Sequence, residues 1–306
     1  MRTAVGAMRQ RRETVALVPT MGALHDGHLR LVAEARQRCD RVIVSIFVNP
    51  SQFAANEDFG KYPRNLDSDL DKLSAGDVAA VWAPAVDEMY PHGFATRVVP
   101  AGAADGLESD FRPQFFAGVA TVCAKLFTQV TPDIACFGEK DYQQLAVIRQ
   151  LVRDLDLPLD IVGVPTVREA DGLAMSSRNR YLSKAERQRA AAINRVLREA
   201  AAALNAGQSV VAAESTATAA LTAAGFRVDY VAVRDIAKRY GLKAAWTKPG
   251  ALLTLSDARG VRFTFERDQR DFYLDGARVF LGLLLPAQRA HQNIAAGAID
   301  VGERRA

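Results

Sequence analysis

The stretch VALVPTMGALHDGH, residues 15–28, decides the fold, because it joins a continuous apolar run to a turn and then to helical spacing. An apolar run without polar alternation is typical of a strand buried on both faces of a parallel sheet. Similar runs follow at 42–48, 79–82, 134–137 and 161–164. Helical spacing lies between them, at 29–39, 64–73, 118–130 and 144–155. This alternation predicts an α/β protein with a Rossmann-like, doubly wound parallel sheet, whose ligands bind beyond the carboxyl ends of the strands.

The pattern changes after Arg168 and predicts a second, smaller α+β domain at the C-terminal side. Ser183 and Glu186 have the spacing of a capping box, which predicts a helix that runs to about Leu204. A second helix is expected at 211–223, and β-like runs follow at 228–233, 251–255, 261–265 and 277–285. We therefore predict two domains, 1–170 and 171–306.

Composition excludes several functional classes. The 39 basic residues are scattered among 35 acidic ones and give a net charge of only +4, so no nucleic-acid-binding stripe is evident. The sequence shows neither a signal peptide nor an apolar run of about 18 residues, so we expect a cytoplasmic protein that does not enter a membrane. The three cysteines lack CxxC spacing, and no protein metal site is predicted.

Two of the four histidines stand in the turn after the first strand. His25 and His28 are about one helical turn apart, and Gly27 between them permits close approach of a phosphate. Backbone N–H groups and the helix dipole at such a position can hold a phosphate, and an imidazolium can donate a proton to it. The alternative is a loop that carries two exposed histidines.

Three further segments combine residue types that suit an anionic substrate. FVNPSQF at 47–53 offers the amides of Asn49 and Gln52, although an Asn-Pro turn that merely ends a strand is an equal alternative. GEKDYQQ at 138–144 places Lys140 at a strand-to-helix junction, unless it is only a solvated helix start. MSSR at 175–178 supplies hydroxyls and a guanidinium for a triphosphate, or else forms a serine-rich hinge.

The His-x-Gly-His element resembles the nucleotidyltransferase superfamily that includes class I aminoacyl-tRNA synthetases, and Ser-Ser-Arg resembles its second nucleotide signature, often written KMSKS. PTMGALHDGH as a whole is more specific and closely resembles the pantothenate synthetases. The resemblance runs from Val15 to about Leu204. It implies ATP-dependent condensation of pantoate with β-alanine through a pantoyl adenylate, with Mg²⁺ carried by the nucleotide, in an enzyme that forms a homodimer.

The resemblance also implies roles for individual residues. His28 is the expected proton donor, and His25, Lys140 and Arg178 are the other expected catalytic residues. Gln52, Gln144 and Asn49 are the expected contacts to substrate. The expected ATP-binding residues are Met21, Gly22, Ala23, Leu24, His25, Asp26, Gly27, His28, Gly138, Glu139, Lys140, Asp141, Val167, Met175, Ser176, Ser177 and Arg178.

Two departures from the family pattern keep alternatives open. The segment 112–119 lacks a histidine that the family usually has, and 237–292 is an atypical, longer passage. One alternative is another small-molecule nucleotidyltransferase of the same superfamily, which FVNPSQF and GEKDYQQ argue against. The other is a non-catalytic nucleotide-binding paralogue, which the intact His25, His28, Lys140 and Arg178 argue against.

Overall fold

The computed structural model describes residues 1–54 and 57–235, and then six strand segments, at 243–248, 252–256, 262–266, 271–274, 277–280 and 297–300. The chain divides into two compact units. The first contains Met1–Val167 and Met175–Arg180, and the second contains Arg168–Ala174 and Tyr181–Ala306. The domain boundary at 170 stays a prediction, since the two units interleave between 168 and 180.

The first unit is built on a five-stranded parallel sheet of order β3-β2-β1-β4-β5. Its strands are β1 (Val15–Thr20), β2 (Arg41–Ile46), β3 (Ala80–Trp82), β4 (Ile134–Gly138) and β5 (Asp160–Val164). The first four residues of β1 are fully buried, as a central strand covered on both faces requires. Strand order reverses between β1 and β4, and a crevice at such a reversal is the usual ligand site of this architecture.

Seven helices in the described part of this unit connect or flank the strands. They are α1 (Arg2–Gln10), α2 (Asp26–Arg36), α3 (Leu66–Ser74), α4 (Val86–Met89), α5 (Glu108–Phe111), α6 (Phe115–Val130) and α7 (Tyr142–Asp154). Leu31 of α2 and Leu73 of α3 pack with Val18 and Val44 of the sheet in one buried cluster. Each fully buried Val or Leu contributes about 1.5–3 kcal/mol relative to exposure, so this cluster fixes α2 and α3 against the strands.

In the second unit, α8 (Lys184–Asn205) and α9 (Val210–Ala223) pack on each other through Val196, Ala200 and Leu221. The strands form two antiparallel sheets, β11-β10-β9-β8-β7 and β12-β6. Their bounds are β6 (Ala232–Asp235), β7 (Lys243–Lys248), β8 (Leu252–Ser256), β9 (Arg262–Glu266), β10 (Asp271–Leu274), β11 (Ala277–Phe280) and β12 (Gly297–Asp300).

The fold class predicted from the sequence is confirmed, and each of the five predicted parallel strands lies within two residues of its observed position. The capping box is also present: Ser183 Oγ accepts from the Glu186 N–H at 3.3 Å, and Glu186 Oε2 accepts from the Ser183 N–H at 2.7 Å. Parts of the predicted strand at 277–285 and of the atypical passage 237–292 lie outside the described residues. No helix among the described residues is long and apolar enough to cross a membrane.

Candidate active site

Three of the predicted motifs, and Val167, follow the carboxyl ends of strands in the first unit. The histidine turn, residues 21–28, follows β1, and Asn49–Gln52 follows β2. Gly138 is the last residue of β4, Glu139–Asp141 comes directly after it, and Val167 lies three residues beyond β5. Met175–Arg180 belongs to the same unit and joins this edge, since the Met175 N–H donates to the Val167 carbonyl at 3.0 Å. The sheet therefore brings segments separated by more than a hundred residues to one edge.

His25 and His28 form an unusual cap at the start of α2, in which both rings accept backbone hydrogen bonds through Nδ1. The His25 Nδ1 accepts from the Gly27 N–H at 3.1 Å, and the His28 Nδ1 accepts from the His25 N–H at 3.3 Å. The ring centroids lie 4.1 Å apart. A neutral imidazole whose Nδ1 accepts must carry its proton on Nε2, so the hydrogen bonds assign both rings as Nε2–H donors.

Burial keeps these two imidazoles neutral. It lowers the pKa of His28 to about 3, and the neighbouring His25 lowers it further. Burial also lowers the pKa of His25, with Lys140 as the next cause. Loss of solvation of a positive charge therefore favours the neutral form of both rings. The expectation that His28 donates a proton as an imidazolium stays a prediction.

The backbone of the turn offers less to a phosphate than its sequence suggests. Five N–H groups of the turn already donate within the protein. Those of Ala23 and Leu24 bind the two oxygens of Asp69, and that of Gly22 binds Thr20 Oγ1. Those of His25 and Gly27 bind the Nδ1 atoms of His28 and His25 as described above. These five N–H groups are therefore engaged within the protein, and the ATP-binding role of residues 21–28 stays a prediction. The turn instead presents imidazole donors on a fixed backbone.

Lys140 supplies positive charge beside the histidines. It lies in a short 3₁₀ helix, Glu139–Asp141, that follows β4, and its Nζ is 3.5 Å from Asp141 Oδ1. Its charge is one of the causes that lower the pKa of both imidazoles, after burial. Gly138 forms the junction, and burial raises the pKa of Glu139.

The segment Met175–Arg178 packs onto the histidine turn and onto a loop after β2. The buried Ser177 donates through Oγ to the Ala23 carbonyl at 3.0 Å. The Arg178 guanidinium pairs with the buried Asp58 and lies over the Tyr62 ring, with 5.6 Å from Cζ to the centroid. Ser177 therefore fixes the turn, and Arg178 is oriented by Asp58.

Asn49 is fully buried and uses its amide within the protein. Its Nδ2 donates to Gln52 Oε1 at 2.8 Å and to the Gly118 carbonyl at 3.2 Å. Its Oδ1 accepts from Ser51 Oγ at 2.8 Å and from the Tyr90 hydroxyl at 2.7 Å. In this structure Asn49 orients Gln52, and the prediction that Asn49 itself contacts substrate stays a prediction.

Arg112 holds the backbone of Gln52, whose side chain Asn49 orients; we call Asn49, Gln52 and Arg112 the Gln52 subsite. The Arg112 Nη2 donates to the Gln52 carbonyl at 2.9 Å, and its Nε and Nη2 bind Glu57 at 2.6 Å each. The guanidinium also stacks on Phe115, with 3.9 Å from Cζ to the ring centroid. The segment without the family histidine therefore contributes a partly buried, bidentate arginine that positions Gln52.

The two consecutive glutamines of α7 have different environments. Gln143 is buried, accepts from the Glu108 N–H at 3.2 Å and donates to the carbonyls of Ala103 and Gly106 at 3.3 and 3.1 Å. Gln144 is partly exposed in the first turn of the helix. This difference agrees with the predicted choice of Gln144 for substrate.

The other predicted ATP-binding residues lie around these groups. Met21, Val167, Met175 and Ser176 are partly exposed, and Asp26 is exposed as the first residue of α2. The supporting residues for which the sequence predicted no role are Asp58, Tyr62, Asp69, Lys72, Tyr90 and Arg112. Among the residues that the structure describes, no group of three or more His, Cys, Asp or Glu side chains is arranged to hold a metal ion.

Comparisons with known proteins agree with this geometry. The family model described as pantoate-beta-alanine ligase matches residues 1–260. Pantothenate synthetase 2 of Bradyrhizobium diazoefficiens is 57% identical over 235 residues, which cover 76% of this chain and 83% of the relative. Pantothenate synthetase of Mesorhizobium japonicum is 57% identical over 236 residues, which cover 77% and 83%.

Solved structures give the same result. The crystal structure of pantothenate synthetase from Thermus thermophilus matches with a TM-score of 0.72 and 43% identity, covering 90% of this chain and 95% of that one. Pantoate-beta-alanine ligase from Francisella tularensis, complexed with beta-gamma ATP and beta-alanine, matches with a TM-score of 0.66 and 30% identity, covering 92% and 96%. From the extent of these matches, the chain belongs to the pantoate-β-alanine ligase family.

Proposed function

We propose that this ligase makes pantothenate in two steps, through a pantoyl adenylate. In the first step a carboxylate oxygen of pantoate attacks the α-phosphorus of ATP, and pyrophosphate leaves. In the second step the amine of β-alanine attacks the acyl carbon, and AMP leaves with the electron pair of the broken C–O bond. The carrying observation is that imidazole, ammonium, guanidinium and amide groups from four segments meet at one edge of the sheet.

The first step needs stabilisation of charge that develops on phosphate oxygens. Lys140 and Arg178 supply fixed positive charge, and the Nε2–H groups of His25 and His28 supply neutral donors. Donors held in place before the reaction act most strongly where solvent is excluded, since they need no reorganisation. The negative charge of the bound triphosphate would raise the pKa of His28 and so increase the fraction of imidazolium that can donate a proton to the leaving group.

The groups around Gln52 suit recognition of pantoate, which carries hydroxyls and a carboxylate. Gln52 is held by Asn49 through its side chain and by Arg112 through its carbonyl. A glutamine whose side-chain Oε1 and backbone carbonyl are both held presents its Nε2 in one orientation to a hydroxylated substrate. Gln144 of helix α7 is proposed as a second amide contact to the substrate. Neither chemical step requires a covalent enzyme intermediate.

Magnesium is proposed to arrive with ATP. Mg²⁺ keeps several waters and binds one or two carboxylates together with substrate phosphates. The positive side chains of Lys140 and Arg178 suit phosphate oxygens, and the nucleotide would bring the ion with it. The ion would neutralise phosphate charge, and the residues described here would bind and orient the nucleotide. We also propose a homodimer in the cytoplasm, without nucleic-acid or membrane partners.

Isotope transfer tests the reaction directly. The protein is incubated with ATP, Mg²⁺, β-alanine and pantoate labelled with ¹⁸O in its carboxylate, and AMP and pantothenate are analysed by mass spectrometry. The adenylate route predicts one ¹⁸O in AMP and one in pantothenate, and no AMP when pantoate is omitted. Pyrophosphate release without amide formation would support a different nucleotidyltransferase, and ATP binding without turnover would support a non-catalytic paralogue.

A further inference from the structure

Helix α3 places a buried carboxylate against the histidine turn. Asp69 is 2% exposed, and its two oxygens accept from consecutive backbone N–H groups, Oδ2 from Ala23 and Oδ1 from Leu24, each at 2.8 Å. The carboxylate therefore has both oxygens engaged, which is how a buried charge is tolerated. The same two residues are the last ones before His25.

The backbone of the histidine turn adopts an unfavourable conformation that the bonds to Asp69 stabilise. Gly22 has φ +81° and Ala23 has φ +51°, so two consecutive residues lie in the left-handed region. That region is unfavourable for alanine, and it persists where surrounding groups fix the backbone. A Cβ at Gly22 would lie 3.0 Å from Asp69 Oδ2, which shows how closely the carboxylate approaches the turn.

The carbonyls of the same two residues are fixed as well. Lys72, one turn along α3 from Asp69, donates through Nζ to the Leu24 carbonyl at 2.8 Å. Ser177 donates to the Ala23 carbonyl at 3.0 Å. Side chains from outside the turn therefore hold both N–H groups and both carbonyls of Ala23 and Leu24.

The bond from Lys72 is linked to His28 through one peptide unit, the amide between Leu24 and His25. The Leu24 carbonyl and the His25 N–H belong to the same planar amide; Lys72 binds its oxygen, and the His28 Nδ1 binds its hydrogen. A positive charge at the oxygen polarises the amide and strengthens its N–H as a donor. That N–H is the group that keeps the His28 Nδ1 unprotonated and its proton on Nε2.

We propose that Asp69 and Lys72 are positioning residues that fix the Leu24–His25 amide and thereby set the orientation and tautomer of His28. Neither residue needs to touch ATP for this role. The importance of the tautomer for turnover rests on the proposed function of His28 as a donor. The tautomer itself is a property of the protein and can be measured without catalysis.

The test combines three variants of α3 with two readouts. Asp69→Asn keeps the size but removes one acceptor, Lys72→Met removes the donor while keeping the stem, and Asp71→Asn changes an exposed carboxylate on the same helix as a control. The ¹⁵N chemical shifts of His28, assigned with His28→Asn, report which ring nitrogen is protonated. Steady-state kinetics report kcat and the KM values for ATP and pantoate.

We expect the wild-type protein and Asp71→Asn to show His28 as the Nε2–H tautomer. Asp69→Asn and Lys72→Met should mix the tautomers and lower kcat by up to about 100-fold, with a smaller change in the KM for pantoate. Circular dichroism checks folding, and Lys72→Met keeps the test valid if Asp69→Asn does not fold. An unchanged His28 tautomer in folded Lys72→Met would overturn the proposal, whereas failure of the wild-type protein to form pantothenate would overturn only the proposed function.

Discussion

The guanidinium of Arg178 forms a fork with the carboxylate of Asp58: Nη2 lies 3.2 Å from Oδ1, and Nε lies 3.3 Å from Oδ2. Asp58 is 9% exposed, and the charge of Arg178 helps to compensate its own. Planar, two-point pairing fixes the direction of a guanidinium in a way that a single contact cannot. Asp58 therefore sets the position from which Arg178 can meet a triphosphate.

Asp58→Asn should weaken ATP binding more than it slows chemistry. The amide keeps the shape but loses the charge that orients Arg178, so we expect the KM for ATP to rise by about 10-fold, as loss of one charge-assisted interaction predicts. Initial rates of AMP formation at a series of ATP concentrations measure this KM. Asp71→Asn is the control, and an unchanged KM in folded Asp58→Asn would show that Arg178 does not depend on this pair.

Stability should depend on pH through His28. Its folded pKa, about 3, lies below the ordinary value of 6.5. Between pH 6.5 and 3, His28 is therefore protonated in the unfolded chain but not in the folded protein. The free energy of unfolding consequently falls as the pH drops from 6.5 towards 3. The slope from this group is at most about 1.4 kcal/mol per pH unit.

Urea unfolding at pH 7 and pH 5 measures this effect, followed by Trp82 fluorescence in a Trp246→Phe background. The same comparison in His28→Asn removes the group while keeping an acceptor near the Nδ1 position. The parent should lose up to about 2 kcal/mol more than His28→Asn between the two pH values. Equal losses in the two proteins would mean that His28 titrates normally in the folded state.

Gly118 of α6 packs closely against the turn that carries Gln52. A Cβ there would lie 2.4 Å from the Ser51 carbonyl oxygen and 3.0 Å from the Gln52 nitrogen. Gly118→Ala should therefore push the helix off the turn, break the Asn49 bond to the Gly118 carbonyl and destabilise the protein by about 1–3 kcal/mol. The KM for pantoate should rise with it.

Gly6 of α1 provides the matched control, since a Cβ added there meets no atom within 4 Å. Both glycines lie within helices, so both gain helix propensity on substitution by alanine. Gly6→Ala should stabilise the protein by up to about 1 kcal/mol and leave the kinetics unchanged. If Gly118→Ala behaves like Gly6→Ala in thermal unfolding and pantoate kinetics, the close packing at Gly118 does not matter for the subsite.

Much of this arrangement could be predicted from local sequence. Continuous apolar runs such as Val15–Val18 require a strand buried on both faces, and Ser183 with Glu186 marks a helix start, because both patterns act within a few residues. The histidine turn was located for the same reason, since its residues follow one strand and begin one helix.

The supporting residues could not be predicted, because their partners are far away in the sequence. Asp69 stands among three aspartates of one helix, and only the packing of α3 shows that Asp69 turns inward while Asp67 and Asp71 are exposed. Asp58 and Arg178 are 120 residues apart. The lowered pKa of His28 likewise follows from burial, which the motif does not reveal.

Arg112→Lys tests whether holding Gln52 requires the two-point geometry of the guanidinium or only its positive charge. Lysine keeps the charge but cannot bind both oxygens of Glu57, reach the Gln52 carbonyl and stack on Phe115 together. We expect the KM for pantoate to rise by about 10-fold, with a smaller change in the KM for ATP. Arg195→Lys, on an exposed face of α8 where the arginine pairs only at the surface with Glu199, should leave both constants unchanged. A normal pantoate KM in folded Arg112→Lys would show that Gln52 is held without this arginine, and that Asn49 alone is sufficient to orient it.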